Sequence, residues 1–305
     1  MAGVCALLAG PAVAQERPIQ LVNPYAAGST TDQLARALAP GLQARLGVPV
    51  VVVNRDGAAG GIGTASVARA TPDGTTLLFA PAVVLSVLPA LRRDAGYAAD
   101  SFVPVCQSFE NAMVLAVRED SPWQGLADLA AAAQAQPGAL RYGHQGVASI
   151  PHLAAVEFAE AAGISLQDVP YRGEPAVVLD LLAGRVEFAA LVAGSLSGQR
   201  LRALAIFSAV RHPLLPNAPT AREQGFDVTP ASFGGLLAPA GLPEPVRSTL
   251  AQACEGAAAD PAYAEAARRA FQPATWFAGP EAFAARLAKD IADKARLLGR
   301  IDLSR

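Results

Sequence analysis

The segment from Ile19 to Asp32, IQLVNPYAAGSTTD, constrains the fold more than any other part of the chain, because it runs from a strand into a helix start with a minimal connection. Ile19 to Asn23 is a short apolar run of strand type. Pro24 lacks an N–H and ends the ladder, and Ala26 to Ser29 are small enough for close backbone approach. Thr30 stands three residues before Gln33, the spacing of a capping box, and is the expected N-cap. Leu34, Leu38, Leu42 and Leu46 recur at every fourth position as one buried helical stripe, with a kink expected at Pro40. Such a helix start leaves N–H groups unpaired and carries roughly half a positive charge, so a carboxylate or phosphate at Gly28 to Thr31 would be stabilised. Taken alone, the segment favours the plainer reading, a tight βα turn without a ligand.

The alternation continues. PVVVVN at 49–54 is a continuous apolar run suited to a strand buried on both faces, which implies a parallel sheet. The loop RDGAAGGIG, 55–63, leads into a helix to about Ala70; TTLLFAP, 75–81, is a third strand, and another helix is expected over 83–91. Residues 102–118 hold two strand-like runs with no helix between them, so the chain crosses to a second unit here. There the spacing predicts strands at 140–143, 167–171, 187–192 and 201–208, and helices at 150–162 and 175–183. Residues 219–241 form a Pro- and Gly-punctuated return, and three helices between Pro243 and Leu298 are expected to pack back on the first unit. The fold class is therefore α/β in two lobes, each a βα sandwich with a mainly parallel sheet. Residues 15–115 with 230–305 are expected to form one lobe and 116–229 the other, hinged by two crossing segments.

With 305 residues, 52% of them apolar and 16% charged, the chain has core material for two such lobes. A net charge of −2 without a Lys/Arg cluster argues against nucleic acid or an anionic membrane surface as partner. After the first residues no apolar run reaches about 18 residues, so no membrane span is expected. VCALLAGPAVA, 4–14, ends in Ala12-Val13-Ala14, the small-x-small pattern of a signal peptidase site, although the usual positively charged start is missing. Residues 1–14 are thus expected to be a leader, possible in truncated form, cleaved near Ala14 before Gln15. Cys106 and Cys254 permit one disulfide in an oxidising compartment, with two thiols the default expectation.

Few segments carry chemistry. Glycines at 57, 60, 61 and 63 match neither GxGxxG nor a Walker A loop, and GSLSG at 194–198 has Leu where a nucleophile elbow has Ser. A tight turn with close strand-to-helix packing is the better reading of 57–63. His144, His152 and His212 are not spaced as metal ligands on one helix face and none is near a Cys, so no metal, no cofactor and no catalytic residue is assigned. His212 reads as a structural hydrogen-bonder. GHQGVASIPHL, 143–153, repeats the opening device: strand, Gly-bearing loop, Ser149 as N-cap, apolar helix. Open α/β sheets bind ligands outside the carboxyl ends of their strands, so two such helix starts on two lobes would clamp an anion between them. A capped turn is the competing reading.

In their order, NPYAAGSTTD (23–32), VVVNRDGAAGGIG (51–63), ATPDGTTLL (70–78), YGHQGVASIPHL (142–153), VPYRG (169–173), LRALAIFS (201–208) and FGGLLAPAG (233–241) resemble the Bug-type solute-binding proteins of tripartite tricarboxylate transporters. These are a branch of the periplasmic binding proteins, and the match spans nearly the whole chain after the leader. The resemblance implies a type II-like periplasmic-binding-protein fold that captures a small organic carboxylate and delivers it to membrane permease subunits. It implies periplasmic location and no catalysis; the protein is expected to work as a monomer. By that resemblance Tyr25, Ala27, Gly28, Ser29, Thr30, Thr31 and Asp32 line one side of the site, with Pro81 beside them. His144, Gly146, Val147, Ala148, Ser149 and His152 line the other, with Arg172 as the nearest cation. Asn23, Ser29 and His144 stand where the family usually has an apolar residue, a second Gly and a small residue. The alternatives are a ligand-sensing partner of a membrane sensor and an enzyme using Ser149 or His152, the latter without a motif that supplies a base.

Overall fold

The computed structural model describes residues 17–299 apart from 93, 172, 209, 229–231 and 273–276. The expected leader, with Ala14 and Gln15, lies outside the described residues, as does Arg172. The first unit contains β1 (Ile19–Asn23), α1 (Thr30–Leu46), β2 (Val50–Asn54), α2 (Gly61–Ala68), β3 (Thr76–Pro81), α3 (Val83–Ser86), α4 (Leu88–Leu91) and β4 (Phe102–Glu110). The second contains β5 (Met113–Arg118), α5 (Leu126–Ala135), β6 (Arg141–His144), α6 (Ile150–Ala162), β7 (Gln167–Pro170), α7 (Glu174–Leu182), β8 (Phe188–Val192) and β9 (Leu201–Phe207). The chain then returns through β10 (Phe233–Pro239) and ends in α8 (Glu244–Ala258), α9 (Pro261–Arg269) and α10 (Pro280–Leu298).

Two five-stranded sheets result, in the orders β2-β1-β3-β10-β4 and β7-β6-β8-β5-β9. Both are mixed. In each, three strands are parallel, and the fourth position is taken by a strand that arrives from the other sheet and runs antiparallel to both neighbours: β10 in the first, β5 in the second. The change of sheet falls at Asn111–Ala112, so β5 lies wholly in the second sheet. The register shows which ends face each other. β4 leaves at Glu110 beside Phe233, and β5 begins at Met113 beside Val192 and Phe207, the carboxyl ends of β8 and β9. The carboxyl ends of both sets of parallel strands therefore point at the crossing, where the Asn111 N–H donates to Ser232 O at 2.6 Å and ties the two connecting chains together.

Several expectations change. PVVVVN forms β2, but at the edge of its sheet, with Val51 49% exposed, because α1 covers one face and, among the described residues, no strand lies beyond it. The helix expected over 83–91 is two short ones meeting at Val87, just ahead of Pro89. The Pro- and Gly-punctuated return holds a strand the sequence reading did not assign: FGGLLAP is β10, buried along its whole length in the interior of the first sheet. Cys106 and Cys254 are not free thiols: packing of α8 on β4 brings their Cα atoms to 6.5 Å and the sulfurs are bonded, across 148 residues of sequence.

α1 continues through Pro40 and buries Leu34, Leu38 and Leu42 against α8 and the first sheet. α8 and α9 pack on α1, whereas α10 spans both units. Its Phe283 and Leu287 join the first core, and Leu297 and Leu298 join the core under α6. Glu157 on α6 faces the charged side chains of this helix. Burial pushes its carboxyl up to about 7, with Lys294 and Arg296 pulling it down and Asp293 and Asp290 raising it further. Because the folded chain holds that proton more tightly than the unfolded chain, Glu157's contribution is full below pH 4.5 and is lost as pH rises to about 7. Glu157→Gln should therefore gain stability relative to the parent between pH 5 and pH 8, by up to about 3 kcal/mol. Urea unfolding at both pH values checks this, and a difference that does not change with pH contradicts it.

Candidate ligand-binding site

The two helix starts are built alike. Ser29 caps α1 with φ −62 and ψ 157, and Ser149 caps α6 with φ −63 and ψ 157. The Ser29 hydroxyl oxygen accepts the Asp32 N–H at 3.2 Å, and that of Ser149 accepts the His152 N–H at 3.3 Å. The cap of α1 is thus Ser29 and not Thr30: Ser29 has the extended backbone of a cap, while Thr30 is already the first helical residue. The residue ahead of each cap is left-handed, Gly28 at φ +85 and Ala148 at φ +59. Its N–H is claimed by a side chain one turn on. Gly28 donates to Asp32 Oδ2 at 2.8 Å, and Ala148 donates to His152 Nδ1 at 2.9 Å.

These bonds decide what remains for a ligand. Each cap uses its hydroxyl oxygen as an acceptor, which leaves the O–H free to donate outward. Among the described residues, the Thr30, Thr31 and Ile150 N–H groups donate to no protein acceptor, while Pro151 has none to offer. The first helix start thus presents one more backbone donor than the second. Ala27, Gly28 and Thr30 are exposed, and Ser29, Thr31, Gly146, Val147 and Ser149 half-buried.

Other expected site residues have structural duties. Asp32 is buried; burial alone would raise its pKa, but hydrogen bonds from Arg36, the Gly28 N–H and Asn54 outweigh this and hold the carboxyl below the usual range. Asn54 donates to Asp32 Oδ1 at 2.9 Å and to Tyr25 O at 3.1 Å, and Arg36 bridges Asp32 and Asn54. Arg36 and Asn54 therefore brace the loop, and sequence reasoning missed both, because only the β1–β2 pairing brings Asn54 opposite Asn23. Tyr25 packs its ring over Gly60, and burial pushes its hydroxyl pKa up. Pro81 ends β3 opposite Gly234. The 57–63 turn carries no side chain of this constellation, and buried His212 accepts the Leu214 N–H at 3.2 Å, a structural role.

On the second lobe His144 and His152 lie beneath the loop, 0% and 4% exposed, with rings stacked 4.2 Å apart. Burial lowers the pKa of both, that of His152 to about 4, and the neighbouring His144 adds to the shift at His152. At neutral pH both are uncharged and cannot serve as cationic ligand clamps. Asp168, on β7, faces them and was not singled out by sequence reasoning.

A sequence profile described as the tripartite tricarboxylate transporter family receptor matches residues 34–300. The protein BugT of Bordetella pertussis is 37% identical over 235 residues, covering 74% of this chain and 71% of BugT. Among solved structures, a TctC solute-binding protein from Polaromonas superposes with a TM-score of 0.85 at 28% identity, covering 94% of this chain and 99% of that one. MatC from Rhodopseudomonas palustris, solved with bound malate, superposes with a TM-score of 0.73 at 25% identity, covering 92% and 99%.

Proposed function

Because the chain belongs to the tripartite tricarboxylate transporter receptor family, we propose that it is an extracytoplasmic solute-binding protein that captures a small organic carboxylate between two lobes for delivery to membrane permease subunits. The observation that carries this reading is the pair of like-built helix starts at Ser29 and Ser149, set on the carboxyl edges of two sheets that face a common crossing. A carboxylate at the first start would take donors from Thr30, Thr31 and the Ser29 hydroxyl. The second lobe would close on it with Ser149 and Ile150. Charge-assisted hydrogen bonds of this kind contribute roughly 1.5 to 3 kcal/mol each, so a few hold an anion without a cationic partner. The malate bound by MatC belongs to the same ligand class.

The expected jaws, 15–115 with 230–305 and 116–229, would meet a few residues earlier than their sequence boundary, at the sheet change at 111–112, with the return ahead of β10 completing the hinge. The chain would act as a monomer, without chemistry on its ligand, in the periplasm after cleavage near Ala14. Among the described residues no helix is long and apolar enough to cross a membrane.

A thermal-shift and calorimetric screen over mono-, di- and tricarboxylates tests the reading; a ligand at a hundredfold over its Kd adds about 2.7 kcal/mol of stability. Ser29→Ala and Ser149→Ala should each weaken binding by about 1 to 3 kcal/mol and cost about 1 kcal/mol in stability through the lost cap. If both leave affinity and melting temperature unchanged while Arg172→Ala abolishes binding, a salt-bridge site replaces the helix-start site.

A further inference from the structure

We propose that His144, Asp168 and His152 form a binding site for a divalent transition-metal ion such as Zn2+, beneath the start of α6. The sheet and helix assemble it. Tyr142 pairs with Asp168 in the β6–β7 register, so His144, two residues on, projects from the same face as Asp168, and α6 packs over that face with His152. One ligand atom from each of the three residues lies within 4.8 Å of the others. No linear spacing reveals this, since the residues come from two strands and a helix.

His144 supplies the stronger argument. Its Nδ1 lies 2.8 Å from Gly146 O, which can only accept, and 3.3 Å from the Gly146 N–H; the shorter contact to the carbonyl places the proton on Nδ1, and Nε2 then presents a lone pair. A backbone carbonyl on the far nitrogen is how metal-bound imidazoles are usually oriented. Nε2 is buried and has no hydrogen-bond partner. It sits 3.6 Å from Asp168 Oδ2, too long for a hydrogen bond. Two donor atoms each roughly 2.0 to 2.2 Å from one tetrahedral ion are separated by about 3.4 Å, so the spacing fits a shared cation.

His152 joins at a cost. Its Nδ1 accepts the Ala148 N–H, so Nε2 holds the proton; ligation through Nε2 needs the other tautomer, with the proton on Nδ1 and that hydrogen bond given up. His144 and Asp168 are therefore the primary pair, and two imidazoles with one carboxylate leave a fourth position for water. The Asp168 side chain is 24% exposed at the edge strand, which gives the ion a path in.

The test uses the full chain without an affinity tag, stripped with chelator, dialysed against Zn2+ and assayed for bound metal. One ion per chain is expected, and His144→Ser and Asp168→Asn should each weaken binding by at least about tenfold, as loss of even an orienting partner does. His212→Gln, at the remaining histidine, should leave it unchanged. Circular dichroism melts confirm that the variants fold. Independently of any variant, X-ray absorption of the Zn2+-loaded parent should show imidazole scattering in an all-N/O shell. Binding well below one ion per chain, retention in both His144→Ser and Asp168→Asn, or an absorption spectrum without imidazole would each overturn the proposal.

Discussion

Reducing the Cys106–Cys254 disulfide should lower the melting temperature by roughly 5 to 10 °C, the shift that a loss of about 3 to 5 kcal/mol produces in a chain of this size. The bond joins β4 to α8 across 148 residues, a span that contains every strand of the second sheet. In the unfolded chain it closes a very long loop, and the chain-entropy model puts the stabilisation from such a loop near 5 kcal/mol, with measured cases commonly about 2 to 4. Both sulfurs are fully buried among Leu38, Leu250 and Tyr263, so the link also holds the α8–α1 packing together. Two arms separate these contributions: dithiothreitol breaks the bond and keeps the sulfur atoms, while the double variant Cys106→Ala with Cys254→Ala removes both. Thiol titration confirms reduction. A fully reduced chain that melts within a degree or two of the oxidised one would show that the packing alone holds the C-terminal helices. A disulfide of this kind suits an oxidising compartment, in line with the proposed export.

Where a segment's local pattern and its place in the fold agree, the sequence was readable; where the fold overrides the pattern, it was not. Ile19 to Asn23 and Ile150 to Ala162 are found at the limits that periodicity and caps imply, because each is short, bounded by Gly, Pro or Ser, and buried on the face its pattern marks. The valine run of β2 has the composition of a central strand yet lies at the edge, since strand order depends on pairings far away in sequence. Thr30 and Ser29 are both good caps one residue apart, and only the extended backbone at Ser29 decides between them. In the site the repeated helix starts were legible as motifs. The bracing of Asp32 by Asn54 and Arg36, and the meeting of His144 with Asp168, arise from strand register and leave no linear signal. The disulfide was hidden for the same reason.

Gly235→Ala should destabilise the protein by about 3 kcal/mol or more, the largest effect expected of any added methyl group at a strand position here. Two consecutive glycines sit in the segment expected to be a Pro- and Gly-punctuated return, yet they are what lets this strand enter the sheet. A Cβ at Gly235 would stand 2.1 Å from Cys106 O and 2.8 Å from Gln107 Cα, and one at Gly234 2.3 Å from Ala80 O. These neighbours are backbone atoms of the two strands that flank β10, so they cannot turn away as a side chain end could. The β10–β4 register shifts between Gly234 and Gly235, which draws the two chains together at this point. The strand also positions the cleft, for Phe233 O accepts the Ala82 N–H at 2.7 Å next to Pro81. Gly235→Ala should therefore weaken carboxylate binding as well as lower the melting temperature. Gly28→Ala is the contrast: its φ of +85 is unfavourable for alanine, but nothing lies within 4 Å of the added carbon, and Ala148 holds φ +59 at the equivalent position of the second lobe. It should cost only about 1 kcal/mol. Chemical denaturation of both variants decides the matter: if Gly28→Ala proves as damaging as Gly235→Ala, backbone conformation at the helix start outweighs close approach in the sheet, and the account of β10 fails.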